Sequence, residues 1–213
     1  MQVGVIGSGL VAQTLATGFL KHGYAVMVGS RSPEKLAEWA AGHPTGRAGT
    51  FAEAAAFGDV VVLAVSGKAA AEALRLAGAA NLKGKPVMDA TNPIADAPPV
   101  NGVLQFFTGV NDSLMEQLQK EFPEAHLVKV FNSVGAAHMV DPKFAGGKPT
   151  MFVCGADAGA KKTVAGIVEE FGWEVADMGG AESAGAIEAL CVLWCIPGFR
   201  ENQWNHAFKL LKN

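Results

Sequence analysis

From Gln2 to Lys35 the chain reads as strand, glycine turn, helix, strand and basic tip without interruption, and no other stretch limits the fold so strongly. Val3 to Ile6 is a short β-rich run. The pattern Gly7-x-Gly9-x-x-Ala12 follows, and Leu10, Leu15, Phe19 and Leu20 then recur at helical spacing. A glycine pattern alone is weak, because glycines meet often by chance. Between a strand and a helix each residue has a task. Gly7 allows the tight turn, Gly9 lets the backbone approach a pyrophosphate, and Ala12 still permits close helix–strand packing. The helix N-terminus offers unpaired N–H groups to the anion, so Gly7, Ser8, Gly9, Leu10 and Val11 are candidate cofactor contacts.

The second apolar run, Tyr24 to Val28, ends in Gly29-Ser30-Arg31-Ser32-Pro33-Glu34-Lys35. An acidic side chain at this tip would hold a ribose 2′-hydroxyl. No Asp or Glu lies between Lys21 and Pro33. Ser30, Arg31 and Lys35 stand there instead, a hydroxyl and two cations suited to a 2′-phosphate, which points to NADP rather than NAD. Ser32 and Pro33 also read as the N-cap and first residue of a helix reaching Ala41.

The chain has 213 residues, half of them hydrophobic and 17% charged, which describes a globular protein able to bury a core. A net charge of -3 and the lack of a long Lys/Arg run argue against nucleic acid. The three cysteines, Cys154, Cys191 and Cys195, are an odd set without a recognisable metal spacing, so core thiols are expected and no metal is assigned. Val60 to Val65 and Ala189 to Gly198 are the longest apolar stretches, short of the roughly 20 residues of a membrane span. No leader pattern precedes the first strand, and a cytoplasmic location is the expectation.

Strands and helices alternate. Thr50 to Ala56 reads as an N-capped helix, Asp59 to Val65 as a strand buried on both faces, Ala69 to Ala77 as a helix, and Lys85 to Ala90 as a strand closing on Thr91-Asn92-Pro93. Residues 94–110 are loop-like. Asn111 to Phe122 is a helix with a possible Ser113–Glu116 capping box, Leu127 to Phe131 a strand, Met151 to Cys154 a strand, Ala158 to Phe171 a helix, and Trp173 to Ala176 a strand. Glu182 to Cys195 is a mostly apolar helix, Pro197-Gly198 a break, and Arg200 to Leu211 a terminal helix. The pattern predicts a doubly wound, Rossmann-like α/β fold with a mainly parallel sheet and a small C-terminal α/β and helical extension. Residues 1–135 would form the dinucleotide-binding domain and 136–213 a smaller substrate or dimerisation part, unless one domain runs through both. Parallel strands would bring Gly7-Ser8, Ser30-Arg31, Val65-Ser66 and Thr91-Asn92-Pro93 to one edge, with the nicotinamide end near Ser66 and Asn92.

Together these motifs resemble the F420H2:NADP oxidoreductase family, the NADP oxidoreductases that use coenzyme F420. The resemblance covers nearly the whole chain. It rests on the glycine turn, on Val28-Gly29-Ser30-Arg31 with Lys35, on Leu63 to Ser66, on Phe131-Asn132-Ser133-Val134-Gly135-Ala136-Ala137, on Phe152 to Asp157, and on Ala207 to Leu211. It implies hydride exchange between NADP and a deazaflavin. It places Ser8 to Val11 on the pyrophosphate, Ser30, Arg31 and Lys35 on the 2′-phosphate, Val65 and Ser66 by the nicotinamide ribose, and Ala136 and Ala137 by the ring. Asn92 and Pro93 complete the expected cofactor contacts. Two positions depart from the family. Ser66-Gly67 replaces a Pro and a bulky aromatic, and Gly135 replaces a prolyl step, both where a second ring would stack. The acceptor is therefore coenzyme F420, a flavin or another small electron acceptor.

Such transfer needs two carbons held about 3–3.5 Å apart without water, and little acid–base chemistry. No catalytic residue is assigned, with His138 a weak candidate proton donor, read first as a surface or structural histidine, and Asp89 a candidate to cap a helix edge or accept a backbone N–H. Trp173, Trp194 and Trp204 read as core or subunit contacts, and Glu182 to Cys195 as a candidate homodimer face or a face covered by the terminal helix. Two other readings stay open, an NADPH-dependent reductase of imines such as pyrroline-5-carboxylate and an NADPH-binding redox sensor without turnover.

Overall fold

The computed structural model describes residues 1–212. In chain order the elements are β1 (Gln2–Ile6), α1 (Leu10–Lys21), β2 (Ala25–Gly29), α2 (Ala37–Gly42), β3 (Arg47–Gly49), α3 (Phe51–Phe57), β4 (Val60–Leu63), α4 (Ala70–Ala77), α5 (Ala79–Leu82), β5 (Pro86–Asp89), α6 (Leu114–Glu121), β6 (His126–Lys129), β7 (Thr150–Val153), α7 (Ala158–Glu170), β8 (Glu174–Asp177) and α8 (Ala184–Glu201). Six strands form one parallel sheet in the order β3-β2-β1-β4-β5-β6, with the reversal of direction beside β1. That is the doubly wound fold expected of the alternation. β7 and β8 form a parallel pair of their own, joined to the main sheet by an antiparallel bridge between Lys129 and Cys154.

Local chemistry explains the main boundaries. The four residues of β4, Val60-Val61-Val62-Leu63, are all buried, as a strand covered by helices on both faces must be. Thr50 caps α3 and Ser113 caps α6, each with a reciprocal glutamate, Glu53 and Glu116. One core cluster runs from Val3, Phe19 and Val28 to Val153, Phe171 and Trp173, so packing is continuous across residue 135.

Four expectations need correction. The stretch after Pro33 is a short 3₁₀ turn, Pro33–Leu36, before α2; Ser32 sits at its N-cap without a side-chain cap bond, and its N–H donates to Ser30 Oγ at 3.1 Å. The edge strand β3 was hidden in a glycine-rich segment of only three residues. The terminal helix is absent from the described residues. α8 instead continues through Pro197 and ends where Asn202 takes up φ 53°. A proline costs one intrahelical bond but does not end a helix whose flanks are packed. Residues 202–212 then run back without helix, held by reciprocal bonds between Trp194 and His206 at 2.9 Å each and by Thr150 N–H to Phe208 O at 2.9 Å. Gly198 makes this return path possible, since a Cβ there would lie 2.2 Å from the Trp204 ring.

The length estimate for apolar stretches falls with the helix break. With its leading turn, α8 spans Ala181–Glu201, 21 residues of mean hydropathy 1.3, long and apolar enough by those measures to cross a membrane. In this fold 44% of it is buried, and its Glu188 is enclosed 2.8 Å from Lys129 Nζ.

Candidate functional site

A cleft of about 980 Å³ opens at the carboxyl ends of β1, β2 and β4. Gly7 to Val11 line it, with Ser30, Arg31, Ser32 and Lys35 beyond β2, Ala64, Val65, Ser66, Lys68 and Ala69 beyond β4, and Ala90 beyond β5. Its shape follows from the glycines. Gly7 has φ 140°, and a Cβ there would stand 2.2 Å from Ala64 O and 3.2 Å from Ala12 Cβ. Only glycine allows that turn between β1 and α1. A Cβ at Gly9 would meet nothing within 4 Å, so the space above the α1 N-terminus is open. Gly9 supplies no side-chain cap and the first turn has no acid, leaving the dipole's positive end facing the cleft.

The β2 tip is built in two layers. Ser30 is buried, its N–H donating to Gly49 O at 2.9 Å and its hydroxyl lying 3.3 Å from the Ser8 hydroxyl. This contact ties the glycine turn to β2. Arg31 and Lys35 are exposed on the cleft wall and form no ion pair among the described residues. Two unpaired cations beside a bare helix N-terminus suit an anion with charge at both points, as NADP has in its pyrophosphate and 2′-phosphate. The residues present fit the dinucleotide.

The other charged groups of the cleft are already engaged. Lys68 pairs with Asp96, and Glu72 lies 3.3 Å from Arg75.

Beyond the cleft lies a buried charged cluster that sequence reasoning missed in two of three members. Lys129 Nζ is 2.7 Å from Asp89 Oδ2, 2.8 Å from Glu188 Oε1 and 3.0 Å from Thr91 O. All three charged side chains are 0–2% exposed. Burial opposes the charge on Lys129, but the two carboxylates outweigh it and hold the ammonium's pKa above the ordinary lysine value. Asp89 Oδ2 has no other partner, so the ion pair alone satisfies it. Asp89 Oδ1 accepts from Thr91 N–H at 2.9 Å and Thr91 Oγ at 2.7 Å, so Asp89 does accept a backbone N–H. Glu188 accepts from Leu114 and Met115 N–H, each at 3.1 Å, at the start of α6. A lysine in a strand gave no sign of this, because the partner Glu188 is 59 positions away on α8.

Four expected cofactor contacts lie off the cleft wall. Asn92 is held by Asn132, its Nδ2 donating to Asn132 O at 2.7 Å and its Oδ1 accepting from Asn132 Nδ2 at 3.1 Å, while Pro93 is buried. Ala136 and Ala137 sit in a 3₁₀ turn beside α1, where Ala136 and Val11 pack on the same core. His138 is half-buried against the Phe144 ring, 4.9 Å between centroids, and is not brought to the cleft. Burial lifts the pKa of the Cys154 thiol to about 12, and a thiol–thiol hydrogen bond raises that of Cys191 and lowers that of Cys195. All three are buried and free. Among the described residues no group of three or more His, Cys, Asp or Glu side chains is placed to hold a metal.

Both glycines at the departures from the family pattern are closely packed. A Cβ at Gly67 would lie 2.1 Å from Asn92 O, so no aromatic fits there. A Cβ at Gly135 would lie 3.1 Å from the Trp194 ring.

Comparison with known proteins gives the family and the fold. Residues 2–93 match the family model described as NADP oxidoreductase coenzyme F420-dependent. A solved structure from Arthrobacter sp. FB24, described as an F420-dependent NADP-reductase, is 35% identical with a TM-score of 0.92 and covers 99% of both chains. Rat metalloreductase STEAP3 is 32% identical over 191 residues, which is 89% of this chain and 36% of its own, so the chain spans about a third of that relative. An imine reductase from Streptomyces aurantiacus shares the fold at 15% identity, with a TM-score of 0.68 over 93% of this chain and 62% of that one. This chain belongs to the F420-dependent NADP oxidoreductase family, a family of NADP-dependent oxidoreductases.

Proposed function

We propose that this chain binds NADP(H) along the cleft and exchanges hydride between it and a deazaflavin or flavin-like acceptor. The observation that carries the reading is the unpaired pair Arg31 and Lys35 at the β2 tip, in one cleft with the bare N-terminus of α1. First-turn amides of α1 hold the pyrophosphate, and Arg31 and Lys35 hold the 2′-phosphate. Ser30 braces the glycine turn through Ser8. Val65 and Ser66, both on the cleft wall, border the nicotinamide ribose. When bound, the coenzyme supplies the hydride chemistry, and the protein supplies position and dryness. The lining needs no proton donor for that step, and His138 stays outside it.

The acceptor half of the family site is altered at Ser66-Gly67 and Gly135, so the acceptor is the open part of the reading. For assembly we propose a homodimer seated on the outer face of α8, where Leu193 is 54% and Phe199 46% exposed. Calorimetry with NADPH and NADH, followed by NADPH oxidation with F420, FMN, FAD, quinones and a cyclic imine, tests the whole reading. NADPH preference with deazaflavin or flavin turnover is the expected result. Equal binding of both coenzymes overturns the grip, imine turnover transfers the chain to the imine reductases, and binding without any turnover leaves a sensor.

A further inference from the structure

Lys129 is fully buried, and the dinucleotide grip does not use it. Burying an ammonium and two carboxylates is costly, and apolar side chains of the same volume would pack as well or better. What apolar packing lacks is direction. The charged cluster acts on one spot, the tip of β5. Thr91 is held from both sides, its N–H and hydroxyl by Asp89 and its carbonyl by Lys129. Its neighbour Ala90 is on the cleft wall. The next residue, Asn92, is locked to Asn132, and its carbonyl presses on Gly67 so closely that no Cβ fits between them. Gly67 follows Ser66, which lines the cleft. The far ends of the cluster are anchored in β6, α6 and α8 through Lys129, the Leu114 and Met115 amides, and Glu188.

We propose that Lys129, acting through Asp89 and Thr91, is a positioning residue for hydride transfer: it fixes the β5 tip, and with it Ser66, as the wall against which the nicotinamide ring is held. This rests on the NADP reading above.

The test compares the wild-type chain with the neutral triple variant D89N/K129M/E188Q, which keeps the volume and removes the charges. Three quantities are read: NADPH affinity by calorimetry, the fluorescence lifetime of the bound nicotinamide, and the single-turnover rate of NADPH oxidation by FMN or F420. Affinity should hold within about twofold, because the grip on β1 and β2 is a separate site. The lifetime should fall toward that of free NADPH, and the transfer rate should drop on the order of 100-fold, the effect of a small misplacement of the ring. T91V, which removes only the hydroxyl bond to Asp89, should shift the lifetime the same way by less, and serves if the triple variant does not fold. An unchanged lifetime in a folded variant that binds NADPH overturns the positioning role and leaves the NADP reading intact. A wild-type chain that does not bind NADPH overturns both.

Discussion

The two ends of the strand edge treat polar groups in opposite ways. At β1 and β2 the first-turn amides of α1 have no cap, and Arg31 and Lys35 have no ion-pair partner among the described residues. At β5 and β6 the polar groups are spent: Asp89, Thr91, Asn92, Lys129 and Glu188 all have partners, and among the described residues only Asn132 Oδ1 is buried without one. Open bonding capacity in a cleft marks where a ligand will complete the structure. Spent capacity under a strand tip marks where the protein completes itself. The first region is the proposed grip, and the second is the proposed frame.

This contrast can be broken from either end. The largest effect is expected in the frame. Lys129→Ala leaves two buried carboxylates uncompensated and should cost about 3–5 kcal/mol of stability in urea unfolding. A loss under about 1 kcal/mol, the range of an exposed pair, would mean that the cluster is wet. In the grip, Gly9→Val should abolish NADPH binding in calorimetry while the fold is kept, with about 1 kcal/mol lost because Val is a poorer N-cap for α1 than Gly; its side chain enters open space and not the core. Binding at wild-type affinity would move the pyrophosphate elsewhere. Arg31→Ala should weaken NADPH by about 1.5–3 kcal/mol, the range for a hydrogen bond to a charged group, and leave NADH unaffected. Equal losses for both coenzymes would deny Arg31 its 2′-phosphate. The smallest change is a control beside the cleft. Thr50→Ala removes the α3 cap and should cost about 1 kcal/mol of stability without altering coenzyme preference. A changed preference would show that α3 shapes the grip.

The grip was legible because its chemistry is local. Gly7, Gly9 and Ala12 lie within one turn and one helix start, and Ser30, Arg31 and Lys35 lie within one strand tip. Periodicity also located β4, β5 and α7, and the Ser113–Glu116 spacing located a true capping box. The frame was not legible, because Asp89, Lys129 and Glu188 meet only after β5, β6 and α8 are packed. Asp89 alone drew attention as an acceptor of a backbone N–H, without its ionic partners. The terminal helix failed for the same reason. Ala207 to Leu211 has helical composition, but Trp204 over Gly198 and His206 against Trp194 draw the segment out along α8.

By itself the order of residues determined the doubly wound sheet, the glycine turn before α1 and the cationic tip beside it, since each depends on neighbours a few positions apart. Tertiary structure alone decided that Lys129 joins Asp89 to Glu188, that Gly67 and Gly135 yield their space to Asn92 and Trp194, and that α8 outlasts its proline. Those outcomes depend on which distant surfaces share a limited volume, and local spacing carries no record of that.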